Sequence, residues 1–275
     1  MVYLPGIDGT GLAASRQFPS LLRRFDLLTF VTPPADRTPF AGLVAAVAAF
    51  LREEVPRHPP TRPIYLLGES FGGVLAVAVA AECPGLVDRV VLVNPATSFE
   101  KSLWPVLGPL LPGIPPEIYA ALPLALAPVL GNPLNLLAAG VDAAAPPAEQ
   151  AAQLVQTALR LRAQLPALTD ILPPEVLAWK LALLAEGSAA AAAAIPRVQQ
   201  RALVLVGDAD LLIPSKEEGP RLQRELPRAI LRVLPGRSHA LLQARRWLLG
   251  GFLPRCCLAC WLVGWCHTSL RWLWH

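Results

Sequence analysis

The residues Gly68-Glu69-Ser70-Phe71-Gly72 carry the most chemistry in this chain. An apolar run, Ile64 to Leu67, precedes the serine, and a long apolar stretch, Phe71 to Cys83, follows it. This pattern predicts a strand, a tight turn and a buried helix. Such a turn strains the serine backbone and leaves its hydroxyl at a helix N-terminus, where unpaired N–H groups favour negative charge. Side chains at the flanking positions would strike the strand or the helix, which accounts for the glycines. The chemistry on offer is nucleophilic attack on an acyl carbonyl. The competing reading is a serine that only caps a buried helix, and the strand–turn–helix context favours the nucleophile.

A serine hydroxyl needs a base, and the base needs an acid to orient it. The histidines are His58, His239, His267 and His275. His58 sits among prolines ahead of the serine, and the last two lie in a tail unlike the rest of the chain. His239 remains, in a Gly236-Arg237-Ser238-His239 turn directly after the apolar run Ile230 to Leu234. In this architecture the acid comes between serine and histidine in chain order. Asp208 and Asp210 both follow the run Ala202 to Val206. Asp210 is the expected acid, and Asp208 is the reserve, with a turn cap as its ordinary role. The tetrahedral intermediate needs two N–H donors. One is expected at Phe71 and the other in the loop Pro5-Gly6-Ile7-Asp8-Gly9-Thr10-Gly11, at Ile7 or, failing that, Asp8. That loop lacks the Lys-Ser/Thr of a phosphate loop and the glycine spacing of a dinucleotide site.

Short apolar runs at Val2–Leu4, Leu27–Val31, Ile64–Leu67, Val90–Val93, Ala202–Val206 and Ile230–Leu234 alternate with helical stretches such as Ala41–Val55. This rhythm predicts a mostly parallel sheet covered on both faces. Ligands of such sheets bind beyond the carboxyl ends of the strands, where the polar candidates above fall. Residues 1–97 and 197–254 read as two parts of one α/β core, and 98–196 as an inserted helical cap. Leu103 to Val141 is rich in Leu, Ala and Pro, and its prolines exclude a continuous membrane-spanning helix. Ala148 to Ala185 reads as helical, and the alanines from Ala189 to Ala194 as a connecting segment. Residues 255–275 hold four of the five cysteines and read as an atypical tail. Cys257, Cys260, Cys266 and His267 lack the usual spacing of a zinc site. No cofactor and no metal are expected.

Hydrophobic residues make up 54% of the 275 positions and charged residues 16%, which excludes a disordered chain and leaves apolar surface for a thick core or a greasy cleft. The net charge of +4 comes from scattered Lys and Arg without a basic run, so nucleic acid is not an expected partner. Bunched cysteines argue against a disulfide framework and for a reducing compartment. Met1 opens directly onto an apolar strand, so no transit segment is seen and the natural chain is expected to begin earlier.

Several blocks together resemble the plastid phytyl ester synthase family of plants and algae. They are Leu4 to Gly11, Asp36-Arg37-Thr38-Pro39-Phe40, Gly68 to Gly73, Asn94 to Phe99, Trp179-Lys180-Leu181 and Leu212-Ile213-Pro214-Ser215-Lys216. The match runs from Val2 to about Gln243. The resemblance implies an α/β-hydrolase fold and acyl transfer to an alcohol acceptor, phytol or diacylglycerol. The donor would be acyl-CoA, acyl carrier protein or a galactolipid. It further implies contact with a membrane or lipid-droplet surface and residence in chloroplast plastoglobules. The family's second acyltransferase region carries a His-x4-Asp signature. Neither His58 nor His267 is followed by such an aspartate, so the likeness concerns the hydrolase-type part alone. Two other expectations stand beside it: a lipid-surface binding protein with an inactive site, and a soluble small-ester hydrolase or peptidase.

Overall fold

The computed structural model describes residues 1–57, 59, 61–126, 141–142, 144–243 and 270–274. Its centre is a seven-stranded sheet of β1 (Val2–Leu4), β2 (Leu27–Val31), β3 (Tyr65–Glu69), β4 (Arg89–Val93), β5 (Arg201–Gly207), β6 (Ala229–Leu234) and β7 (Leu270–Trp274). The order across the sheet is β6-β5-β4-β3-β1-β2-β7, and every pairing is parallel. The six apolar runs of the sequence are the first six strands, shifted at their ends by a residue or two. β7 lies in the segment that reads as an atypical tail, yet it pairs with β2 along Leu27–Val31. A run of Leu and Trp fits a pleated edge as well as any core strand.

Strand periodicity sorts the core into two layers. Val2, Leu4, Leu66, Leu92 and Val204 face one side, with α2 (Phe40–Glu54), α3 (Phe71–Glu82) and α7 (Pro174–Ala194) packed on them. Tyr3, Leu67, Val91, Val93 and Leu205 face the other, against Phe18 and Leu21 of α1 (Phe18–Leu21) and Leu241–Leu242. α3 is apolar all round because sheet, α2 and α7 enclose it.

Between β4 and β5 the chain is helical: α4 (Trp104–Leu107), a 3-10 segment Gly108–Gly113, α5 (Pro116–Ala125), α6 (Pro147–Ile171) and then α7. Short helices over 104–125 match the proline pattern, while residues 127–140 of the greasy stretch lie outside the described residues. The alanine run 189–194 is not a connector. It forms the last turns of α7, with Ala191 and Ala194 buried against the core, because small side chains let this helix pack closely. Two helices follow the pairing order closely enough to fix the site: α3 after β3, and α8 (Ser215–Glu225) after β5.

Register aligns the strand ends. Leu4 pairs with Gly68, Glu69 with Val93, Val93 with Leu205, and Gly207 with Leu234. Four loops, after β1, β3, β5 and β6, therefore open at one level on one edge. The tightest contact there is between the first turn of α3 and the end of β1. A Cβ at Gly72 would lie 1.9 Å from the Leu4 carbonyl oxygen, far inside the contact distance of carbon and oxygen. Gly72→Ala must push α3 off the sheet, and a loss of about 3 kcal/mol is expected, the upper range for overpacking. Gly85→Ala, where a Cβ meets nothing within 4 Å, should leave stability within about 0.5 kcal/mol. Denaturant melts of the two variants check both values.

Candidate active site

Ser70 sits between β3 and α3 with φ 53° and ψ −114°, a conformation that non-glycine residues rarely adopt. Four backbone bonds hold it there. Its N–H donates to Val93 O at 3.0 Å, and its carbonyl accepts from Gly73 N at 3.0 Å, Ala96 N at 3.1 Å and Val74 N at 3.3 Å. The side chain makes no capping bond to α3. Its Oγ lies 3.0 Å from His239 Nε2 instead, and His239 Nδ1 lies 2.8 Å from Asp210 Oδ2. Ser70 and His239 are each 8% exposed, so the line of three is shielded from bulk water.

Asp210 is fixed at both oxygens. Oδ1 accepts from the N–H groups of Leu212 at 2.9 Å and Ile213 at 3.3 Å, and Oδ2 accepts from Ser215 Oγ at 2.5 Å as well as from His239. Burial, the largest single influence, pushes this carboxyl up. His239 beside it and the bonds from His239, Ser215 and Leu212 outweigh burial and hold it below its ordinary value. An ionised carboxylate only accepts, so Nδ1 carries the donated proton and Nε2 is left to accept from Ser70. The arrangement can draw a proton from the serine hydroxyl and steady the imidazolium that results. Asp208 is not in this line. Its carboxylate accepts from Gly236 N at 2.6 Å, which pins the turn after β6.

Asn94 is a positioning residue that motif reading passed over. It is fully buried at the end of β4 with φ 39°. Its Nδ2 donates to His239 O at 2.8 Å and Ser238 O at 3.2 Å, and its Oδ1 accepts from Gly207 N at 2.9 Å. One amide thus ties the histidine loop to the strand that leads to the acid. The only signal in sequence is its place after a strand, which a turn asparagine shares.

Ile7 and Asp8 occupy the centre of a turn closed by Gly9 N–H on Gly6 O at 3.0 Å. The turn passes over the nucleophile: a Cβ at Gly6 would lie 3.8 Å from Ser70 Cβ. Phe71 opens α3, where the first N–H groups have no acceptor within the helix. Ile7 and Phe71 line one cleft with about 300 Å³ of empty space, counting its open mouth. Asp8 turns its carboxylate to the Thr10 N–H at 3.0 Å and to the Thr10 hydroxyl. Among the described residues no cluster of three or more His, Cys, Asp or Glu could hold a metal. Cys257, Cys260, Cys266, His267, His58 and His275 lie outside the described residues.

A parallel sheet in this order, with a strained serine after its central strand and a histidine and a carboxylate meeting it from later loops, defines an enzyme of the serine α/β-hydrolase class. The comparisons with known proteins agree. The chain belongs to the family described as "Serine aminopeptidase, S33", whose model matches residues 34–245. It is 39% identical over 245 residues to phytyl ester synthase 1, chloroplastic, of Arabidopsis thaliana, covering 88% of this chain and 34% of that protein. Phytyl ester synthase 2, chloroplastic, of the same plant is 34% identical over 248 residues, covering 85% of this chain and 34% of the relative. The likeness read from the motifs is therefore borne out, and the chain spans about a third of the length of these curated relatives. Among solved structures, the enol-lactonase from Burkholderia xenovorans LB400 superposes with a TM-score of 0.61 at 19% identity, covering 87% of this chain and 84% of that one. A Paleococcus ferrophilus monoacylglycerol lipase does so at 0.54 and 17%, covering 91% and 88%. Both share the fold.

Glu69, directly before the nucleophile, points into the layer opposite α3. It is 4% exposed and accepts from the Tyr3 hydroxyl at 2.7 Å. Burial pushes its carboxyl up to about 7, with Tyr3 opposing and Asp8 adding to the rise. The native protein then keeps this proton up to about pH 7, whereas the unfolded chain loses it near the ordinary value of 4.5. Glu69 therefore costs nothing below pH 4.5, and stability falls as pH climbs from there to about 7 and stays reduced above it, by about 3 kcal/mol. Glu69→Gln removes this slope, so the stability difference between variant and parent should move in the variant's favour from pH 5 to pH 8. Thermal or denaturant melts across that range check it, and a parallel pair of curves would exclude a buried titrating Glu69.

Proposed function

We propose that Ser70, His239 and Asp210 carry out acyl transfer on lipid esters or thioesters, with phytol or diacylglycerol as acceptor alcohol. The observation that carries this reading is the hydrogen-bonded line from Ser70 Oγ through His239 to Asp210 beneath the turn Gly6–Gly9. In the first step His239 Nε2 takes the Ser70 proton as Oγ attacks the acyl carbonyl carbon. Ile7 and Phe71 N–H groups receive the oxyanion, and His239 returns the proton to the departing alcohol or thiol. In the second step an acceptor hydroxyl gives its proton to His239 and attacks the acyl-serine. The new ester leaves as Ser70 regains its proton. Water at the same position gives hydrolysis, so transfer requires that water be kept out and the alcohol brought in.

Similarity to the two phytyl ester synthases supports the alcohol-acceptor reading. Their chloroplastic names support a chloroplast location, and plastoglobules fit a lipid acceptor. Acyl-CoA, acyl carrier protein and galactolipids are the candidate donors. Apolar surroundings support a lipid substrate over a peptide: Leu103, Val106, Leu110 and Ile118 stand exposed on the helical segment between β4 and β5. They offer a face for a membrane or droplet surface.

Purified protein supplied with an acyl donor and phytol or diacylglycerol should yield ester in addition to free acid. Ser70→Ala should abolish fluorophosphonate labelling and lower turnover about a million-fold. Labelling that persists in the variant overturns the nucleophile. Labelling with free acid as the sole product, even with alcohol in excess, overturns transfer and leaves a hydrolase. Flotation with lipid without any labelling or turnover would favour an inactive lipid-binding protein.

A further inference from the structure

Two sequence blocks have no part in the relay yet meet in space. Asp36-Arg37-Thr38 follows β2, and Trp179-Lys180 lies in α7. The Arg37 guanidinium sits 5.1 Å from the Trp179 ring centroid. Asp36 and Lys180 both line the cleft that Ile7 and Phe71 line.

Lys180 is the unusual member. It is 5% exposed, and a buried ammonium normally has an ion-pair partner, since an unpaired one costs several kcal/mol. Among the described residues no carboxylate lies within 4 Å of it. Its Nζ donates instead to the Asp8 carbonyl oxygen at 3.5 Å, a long hydrogen bond. Asp8 is the central residue of the turn over Ser70, and the Thr32 N–H holds the next carbonyl of that turn, Gly9 O, at 3.0 Å. Burial pulls the Lys180 ammonium below its ordinary value, while Asp8 and Asp36 oppose the loss of its charge and Arg37 adds to it.

We propose that Lys180 is a positioning residue for acyl transfer: its ammonium holds the Asp8 carbonyl and with it the turn that carries the Ile7 N–H, and its charge favours the negative intermediate. This rests on the acyl-transfer reading given above. A packing role alone would be served by an apolar side chain, and none would leave an ammonium in a greasy wall. A loop carbonyl that accepts from Lys180 is not free to swing toward Ser70, where it would repel the oxyanion. A buried cation acts through a lower dielectric than one in water, so it need not touch the oxyanion to matter.

Lys180→Met keeps an unbranched apolar stem one atom shorter and removes the donor and the charge. Its kcat for a soluble ester should fall about 10- to 100-fold with KM within about twofold, and Ser70 should react more slowly with a fluorophosphonate in proportion. Lys180→Arg should recover part of the loss. Hydrogen exchange at residues 5–11 should quicken in Lys180→Met while protection of α3 and β3 is unchanged, a readout that does not need turnover. An unchanged kcat in the folded variant overturns the proposal, as does unchanged exchange in the loop. A raised KM at constant kcat also overturns it and makes Lys180 a substrate-binding group. Failure of the parent protein to label at Ser70 counts against the acyl-transfer reading instead, and the exchange experiment still decides whether Lys180 holds the loop.

Discussion

The contact on which the site depends is the approach of α3 to the end of β1, where Gly72 leaves no room for a Cβ beside the Leu4 carbonyl. Because the helix starts that close to the sheet, the chain between β3 and α3 has one residue in which to turn. That residue is Ser70, held at positive φ by backbone bonds to Val93, Gly73 and Ala96. Strain of this kind costs about 1–3 kcal/mol and persists only where the surroundings impose it. The same closeness brings the loop after β1 over the serine, so nucleophile and turn are placed by a single packing event.

The other two members arrive from the far side of the sheet, and their placement is a matter of cross-linking rather than packing. Asn94 fastens the His239 loop to β4 and β5. Ala209 N–H donates to Arg237 O at 3.0 Å, and Asp208 closes the turn after β6. Ser215, at the head of α8, completes the shell around Asp210. α8 is in turn held to the loop after β4 through Glu218, which Thr97 and Arg221 both donate to. Histidine and carboxylate so restrained lose little entropy when they act.

The sequence made the strands and the strained turn at Ser70 legible because both are local signals. Apolar runs of three to five residues bounded by turn residues read as strands in a chain with this alternation, and Gly-x-Ser-x-Gly announces itself within five positions. His239 was reachable by elimination, and Asp210 by its distance past a strand. What could not be read lay in contacts between distant positions. Asn94 looks like any turn asparagine until Gly207 and His239 come to it from more than 110 and 140 residues away. The alanines of α7 have no visible purpose until α3 lies against them. Leu270–Trp274 reads as a misfit beside its cysteine-rich neighbours, because pairing with β2 is a property of the partner strand as much as of the segment.

Glu69 separates two demands that the same few residues must meet. The oxyanion proposed at Ser70 needs a positive or neutral neighbourhood, while the strand that delivers the serine ends in an acidic side chain. Burying that side chain on the far side of the sheet from α3 keeps it protonated in weakly acidic surroundings, against the pull of the Tyr3 hydroxyl. The floor under the nucleophile is then electrically quiet. As the medium turns alkaline that floor acquires a negative charge, so a residue that never meets substrate sets an upper boundary on the conditions in which the intermediate is well housed.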